Sequence, residues 1–187
     1  MANPGSYCSV IPGMKEPDRV LHAQYHDNEY GFPLDNDDAL FGRLILEINQ
    51  AGLSWTTILK KKDNFFKAYH GFDIRKVAAY KEKDIERLLQ DAGIIRNRLK
   101  IHAAIANAKK ILELRKEFGS FKAWLDHHHP LDKAGWVKLF KKHFRFTGGE
   151  IVNEFLMSTG YLPGAHAENC PVYRKVLKSK PAWKVKS

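Results

Sequence analysis

The sequence predicts an all-α protein. Apolar residues recur at helical spacing through most of the chain, and Ser, Asp and Asn stand before these runs as helix caps. No two alternating segments offer a credible strand pair. There is no internal repeat and no low-complexity block. At 187 residues the chain is long enough to bury a real core, and 1–187 is expected to form a single compact helical domain with a basic tail from about residue 171.

Residues 1–24 carry Pro4, Gly5, Pro12, Gly13 and Pro17 and read as mostly irregular. Asp35-Asn36-Asp37-Asp38 offers N-caps to a helix whose apolar residues Leu40, Phe41, Leu44, Ile45 and Ile48 share one stripe. Glu47 lies at the edge of that stripe, and the helix should end near Gly52. A second amphipathic segment sets Ile58, Leu59, Phe65, Phe66 and Tyr69 against Lys60, Lys61 and Lys62. Asp73 and Asp84 read as caps of two short helices, the second closing at Asp91-Ala92-Gly93. A long helix from about Arg96 to Phe118 has Ile101, Ile105, Ala108 and Leu112 inside and Gly119 as its stop. Ser120 caps a short helix that Pro130 closes, and Asp132 begins another with Trp136, Leu139 and Phe140 inside. A turn over 144–149 leads to a last helix from Glu150 to Thr159. After Glu168 no acidic residue follows, while Arg174, Lys175, Lys178, Lys180, Lys184 and Lys186 do. That tail reads either as a phosphate-backbone contact or as a mobile basic end.

Thirty-one Lys and Arg against twenty-one Asp and Glu give a net charge of +10, which favours polyanionic partners, nucleic acid first. No apolar run approaches the eighteen or so residues of a membrane span, and the first residues lack the pattern of a signal peptide. The expectation is a soluble cytoplasmic protein without a membrane partner. Two cysteines, Cys8 and Cys170, stay reduced in that compartment and leave a metal site open.

Lys141-Lys142-His143-Phe144-Arg145-Phe146-Thr147-Gly148-Gly149 joins two helices through a glycine pair and leads into a helix start. Gly148 and Gly149 allow close approach of a phosphate, a helix N-terminus supplies N–H donors, and Lys141, Lys142 and Arg145 supply charge. A helix–hairpin–helix grips a nucleic-acid backbone in this way without reading bases. His166 and Cys170, four apart, can chelate, and Cys8 and His26 would complete a Cys₂His₂ set. Zinc held there would staple the Pro/Gly-rich start to the C-terminal region. A hydrogen-bonded structural role is the alternative for His26, and the run His127-His128-His129 is left unassigned.

Tyr25-His26-Asp27-Asn28-Glu29-Tyr30-Gly31 resembles the YHDxEWG signature of the bacterial DNA-3-methyladenine glycosylase I family. The stretch from Glu47 through Gln50-Ala51-Gly52-Leu53-Ser54-Trp55 resembles the family's next block. So do Asp91 to Arg98, Phe144 to Gly148, and His166 with Cys170 after Gly160-Tyr161-Leu162. The order holds from about residue 20 to 170. The resemblance implies a helix–hairpin–helix DNA glycosylase fold with a structural zinc. It also implies, for double-stranded DNA carrying alkylated bases, excision of 3-methyladenine by hydrolysis of the N-glycosidic bond. No Asp occurs between Gly148 and the end of the chain and no lysine nucleophile is expected. The enzyme would therefore be monofunctional and leave an abasic site, and a monomer is expected.

The chemistry of the residues fits that implication. Methylation at N3 makes adenine cationic, and the faces of Tyr25 and Trp55, with Tyr30 beside them, attract a cation by about 0.5–2 kcal/mol. Glu47, the expected catalytic residue, accepts hydrogen bonds from the base. His26 as a metal ligand would orient Tyr25, and Gln50 and Leu53 would fill the gap left by a flipped base. The plain alternatives are Trp55 and Leu53 as core and Glu47 as a buried cap partner. Three features depart from the family pattern. Cys8 precedes His26 by an unusually long gap with no aromatic just after it, Tyr30 stands where Trp is usual, and the stretch from Trp124 to Phe144 is short. A damaged-DNA-binding homologue of the same fold without excision activity is the competing reading.

Overall fold

The computed structural model describes residues 6–185. Over these the chain is helical, with no strand among the described residues. The helices are α1 (Tyr7–Val10), α2 (Asp18–Asn28), α3 (Asp37–Gln50), α4 (Trp55–Ala68), α5 (Ile74–Ala78) and α6 (Glu82–Gln90). They continue as α7 (Arg98–Phe118), α8 (Phe121–His128), α9 (Lys133–His143), α10 (Gly149–Ser158) and α11 (Pro171–Lys178). Short 3-10 turns follow α1 and α4 and close the chain at Ala182–Lys184.

Most boundaries fall where the caps place them. Asn36 accepts from the amides of Asp38 and Ala39, Ser54 from Thr57, Asp73 from Lys76, Ser120 from Ala123 and Asp132 from Gly135. Gly119 ends α7 at φ 87°. Asp84 is not itself a cap. It lies inside the first turn of α6, and its carboxylate accepts the amide of Lys81, the true N-cap. The long helix starts at Arg98 rather than Arg96, because Asn97 takes the capping position and accepts from the amide of Lys100.

Two larger differences lie at the ends. The start is not mainly irregular: α1 and α2 occupy it, and α2 buries His22, Tyr25 and His26. These three share one helical face, but two are imidazoles, so an apolar-periodicity reading passes over them. The tail folds as α11, with Pro171 at its first turn and Val172 and Val176 buried. Pro4, Gly5 and Lys186 lie outside the described residues.

α3 is the central helix. Leu40 to Asn49 are all buried, as expected of a helix enclosed on every side, and it packs against α4, α7, α8 and α10. Its first residue, Asp37, ties three elements together. Its carboxylate accepts from Arg115 Nε at 2.7 Å, the Phe121 amide at 2.9 Å and the Lys122 amide at 3.0 Å. Two orphan donors at the start of α8 and a cation near the end of α7 are thus satisfied by one largely buried group. Asp37→Ala is expected to lower the unfolding free energy by roughly 2–4 kcal/mol in a denaturant titration. A loss below about 0.5 kcal/mol, the range of ordinary surface substitutions, would show that this tie is not structural.

Candidate active site and metal centre

Four residues from the two ends of the chain converge. Cys8 comes from α1, His26 from α2, and His166 and Cys170 from the loop before α11, with their donor atoms all within 4.8 Å of one another. Cys8 Sγ lies 3.2 Å from His26 Nε2 and 3.7 Å from His166 Nδ1. Cys170 Sγ lies 3.7 and 3.8 Å from the same two nitrogens. A tetrahedral ion with bonds of about 2.3 Å to sulfur and about 2.0–2.1 Å to nitrogen separates its donors by about 3.3–3.8 Å, so the spacing fits. The tautomers fit as well. His26 Nδ1 donates to Asp27 Oδ1 at 2.7 Å and His166 Nε2 to the Tyr30 carbonyl at 2.7 Å. The remaining nitrogens turn their lone pairs on each other at 3.1 Å, an arrangement that repels unless a cation lies between them. Burial holds His166 below the ordinary histidine range, in the neutral form a metal requires.

Next to this cluster opens a cavity of about 530 Å³, within the range of small-ligand sites. Tyr25, Tyr30 and Trp55 line it together with Glu47 and Gln50. The rings of Tyr25 and Trp55 are 5.2 Å apart and those of Tyr25 and Tyr30 are 5.7 Å apart. Gly31, at φ 84°, completes the turn behind them. A Cβ there would lie 2.8 Å from Ala165 Cβ and 3.2 Å from the His166 ring, so only glycine fits.

Glu47 is 4% exposed, and no described residue gives its carboxylate a hydrogen bond or ion pair. Burial pushes its pKa up to about 8, with the Arg43 cation opposing and Glu154 reinforcing the rise. Arg43, one turn earlier on α3, donates to the Tyr25 hydroxyl at 3.0 Å and stacks 5.0 Å from that ring. Glu29 anchors it at 3.4 Å and is itself held by Lys62.

The turn after α3 is held from below. Lys100 Nζ donates to the carbonyls of Asn49 at 2.9 Å and Ala51 at 2.7 Å, capping the end of α3. Gln50 donates to the Leu53 carbonyl at 3.0 Å, and Leu53 is left 38% exposed. The hairpin between α9 and α10 forms a separate feature. Asn107 is buried and clamps Arg145 by its amide at 2.7 Å and its carbonyl at 3.1 Å. Lys141, Lys142 and Arg145 are exposed. α10 has no side-chain cap at Gly148. Nothing lies within 4 Å of a Cβ built there, and at Gly149 only Val137 reaches 4.0 Å. Neither glycine has a positive φ; in this hairpin the left-handed residue is Phe146, at φ 61°.

Several pocket residues escape a sequence reading. Tyr7, just before Cys8, supplies an aromatic on the other side of that cysteine from the one the family pattern leads one to expect. Its hydroxyl bonds His22 Nδ1 at 2.8 Å, and its ring meets Tyr30 edge-on at 5.3 Å. His22 is anchored in turn to Thr56 at 2.7 Å. Glu154 and Met157 on α10 also reach the cavity. Their positions in sequence carry no signal, because only the packing of α10 against α3 brings them there.

An all-helical chain with a hairpin before its penultimate helix and an aromatic pocket beside a Cys/His cluster is built as a helix–hairpin–helix DNA glycosylase. The comparisons say the same. The fold superposes on 3-methyladenine DNA glycosylase I from Staphylococcus aureus with a TM-score of 0.79 and 32% identity, covering 90% of this chain and 97% of that one. A tyrosine-to-phenylalanine variant of 3-methyladenine DNA glycosylase I, solved in complex with 3-methyladenine, matches with a TM-score of 0.77 and 31% identity over 87% of this chain and 95% of the other. DNA-3-methyladenine glycosylase 1 of Escherichia coli is 38% identical over 172 residues, spanning 82% of this chain and 91% of the relative. The model of the methyladenine glycosylase family matches residues 15–134. The chain belongs to that family.

The raised pKa of Glu47 has a consequence for stability. The folded protein retains a proton there that the unfolded chain releases near its ordinary value of 4.5. The resulting stabilisation is complete below about pH 4.5 and is lost as pH rises through about 8. Glu47→Gln does not titrate. Between pH 5 and 8 the wild-type unfolding free energy should therefore fall by roughly 3–4 kcal/mol relative to the variant. Parallel stability–pH curves would contradict the burial of an unpaired carboxylate.

Proposed function

We propose that the protein is a DNA glycosylase that excises 3-methyladenine from alkylated double-stranded DNA. The observation that carries this reading is the buried carboxylate of Glu47, unpaired among the described residues, in a pocket walled by Tyr25, Tyr30 and Trp55. A carboxylate left without a counter-charge inside a protein is costly, and a cationic base supplies one. As that base enters, its charge favours ionised Glu47, which then accepts hydrogen bonds from it. The aromatic faces add cation–π attraction that a neutral adenine forgoes.

The reaction needs little further help. In the methylated nucleotide the purine is already cationic, so when the bond from N9 to C1′ breaks, its electron pair neutralises the departing base. Water adds to C1′, its proton passes to solvent, and an abasic sugar remains. The base reaches the pocket by flipping out of the duplex, with Gln50 and exposed Leu53 at the turn positioned to occupy the gap. The uncapped start of α10, with Gly148 and Gly149 unobstructed and Lys141, Lys142 and Arg145 exposed nearby, suits a phosphate backbone.

Cys8, His26, His166 and Cys170 are proposed to hold a structural zinc, which would supply cross-linking rather than reactivity. It would fix α1 and α2 against the C-terminal loop and so seat Tyr25 beside its ligand neighbour. Purified protein is expected to carry about one zinc per chain. His166→Ala and Cys170→Ala should lose it and unfold with roughly 3 kcal/mol or more less stability. Stoichiometric zinc in both variants would refute the assignment.

The activity is tested by incubating the pure protein with methylated duplex DNA and measuring released base. Release of 3-methyladenine is expected, with Glu47→Gln and Trp55→Ala each slowing it by at least about tenfold, the equivalent of roughly 1.4 kcal/mol of lost interaction. Salt-sensitive duplex binding without release of any methylated purine would instead identify a damaged-DNA-binding protein.

A further inference from the structure

The turn that carries Leu53 is held by a buried cation outside the pocket. Ala51, at φ −52° and ψ 118°, is followed by Gly52 at φ 80°, and the Leu53 amide donates to the Gln50 carbonyl at 2.7 Å. These are the marks of a type II turn, with glycine at the position that requires a positive φ. A type I turn over the same four residues differs mainly by a half-rotation of the central peptide, the one that bears the Ala51 carbonyl. Lys100 Nζ donates to that carbonyl at 2.7 Å and to the Asn49 carbonyl, in the last turn of α3, at 2.9 Å. The first of these bonds fixes the peptide whose orientation decides the turn type, and with it the direction in which exposed Leu53 leaves the end of α3.

The position of Lys100 is otherwise unfavourable. It is buried, and it lies in the first turn of α7, where the helix dipole disfavours a cation. No carboxylate pairs with it among the described residues, so its desolvation is offset mainly by the two carbonyls. The same ammonium lies 6.0 Å from the ring centroid of Phe146, the left-handed residue of the hairpin, which is 41% exposed. Asn107, two turns further along the same face of α7, clamps Arg145 in that hairpin. One face of α7 thus holds both the turn that bears Leu53 and the hairpin.

Resting on the function proposed above, we propose that Lys100 is a positioning residue for DNA distortion. It latches the Gln50–Leu53 turn in the conformation that carries Leu53 into the gap left by a flipped base. Through Asn107, the same helix sets that turn at a fixed distance from the hairpin on the phosphate backbone. Without the ammonium the central peptide is free to rotate, the carbonyls at the end of α3 lose their donor, and Leu53 samples directions that miss the duplex. The pocket itself, on the other side of α3, keeps its walls, because none of them touches Lys100.

The test uses the full chain, a duplex bearing 2-aminopurine beside a tetrahydrofuran abasic analogue, and free 3-methyladenine. Insertion into the gap is followed by 2-aminopurine fluorescence, and binding of the free base by tryptophan fluorescence. Wild type is expected to change the 2-aminopurine signal. Leu53→Ala and Lys100→Met should each raise the protein concentration needed for half that change roughly tenfold, while affinity for 3-methyladenine moves by less than about twofold. Because the lysine acts through Leu53, the double variant should be no worse than about tenfold. Lys100→Arg, which keeps the charge and the donors, should recover most of the loss. Losses that multiply in the double variant, an equal loss of base affinity, a full response from Lys100→Met or a silent wild type would each overturn the assignment. Lys100→Gln, a shorter donor, gives the same comparison if the Met variant does not fold. Failure of both to fold would make Lys100 a determinant of the fold alone and overturn it as well. Release of 3-methyladenine from methylated duplex by wild type, measured in parallel, reports on the proposed activity separately: insertion without release refutes excision and leaves the role of Lys100 standing.

Discussion

The convergence of two thiols and two imidazoles is the constraint from which the pocket follows. Each of its aromatic walls on this side is tied directly to a member of the cluster. Tyr7 precedes Cys8, Tyr25 precedes His26, and the Tyr30 carbonyl accepts the proton that leaves His166 Nδ1 free to face the centre. Cys8, His26 and His166 are thus each joined to a pocket wall. The segments being held, a short α1 and a loop before α11, bury few apolar residues of their own. A Cys/His cluster with the spacing of a metal site stands where these ends lack hydrophobic packing.

The second principle is electrostatic contrast. Basic residues are spread over the surface, while the cavity is lined by Glu47, Glu154 and, at its rim, Glu150. A field of one sign suits a polyanionic duplex, and a local field of the opposite sign suits a cationic base within it. Arg43 sets the balance between them. It is buried and steadies the Tyr25 hydroxyl, and it opposes without cancelling the rise in the pKa of Glu47.

Much of this was legible beforehand, for particular reasons. α3 was readable because Asn36 caps a run of Leu, Phe and Ile at helical spacing, and the hairpin because Gly148-Gly149 stands between basic and apolar helical runs. The Cys₂His₂ set could be assembled because few thiols exist to choose from. α2 was not readable, since its inner face is built from His22, Tyr25 and His26, residue types that do not register as core. The tail helix was obscured by its charge, although Pro171 with Val172 and Val176 carries the signal of a start and a buried stripe.

The sequence by itself determined the helical class, most caps, the four members of the Cys/His cluster and the carboxylate and rings that line the pocket, because each rests on local spacing or on long motifs. Tertiary structure alone decided which further groups share that pocket. Tyr7 reaches it because His22, itself anchored by Thr56, holds its hydroxyl, and Glu154 because α10 packs on α3. It also decided that Glu47 has no hydrogen-bond or ion-pair partner among the described residues and that Lys100, about fifty residues away in sequence, caps the turn bearing Leu53. Burial and pairing are properties of contacts between distant segments, and no local pattern encodes them.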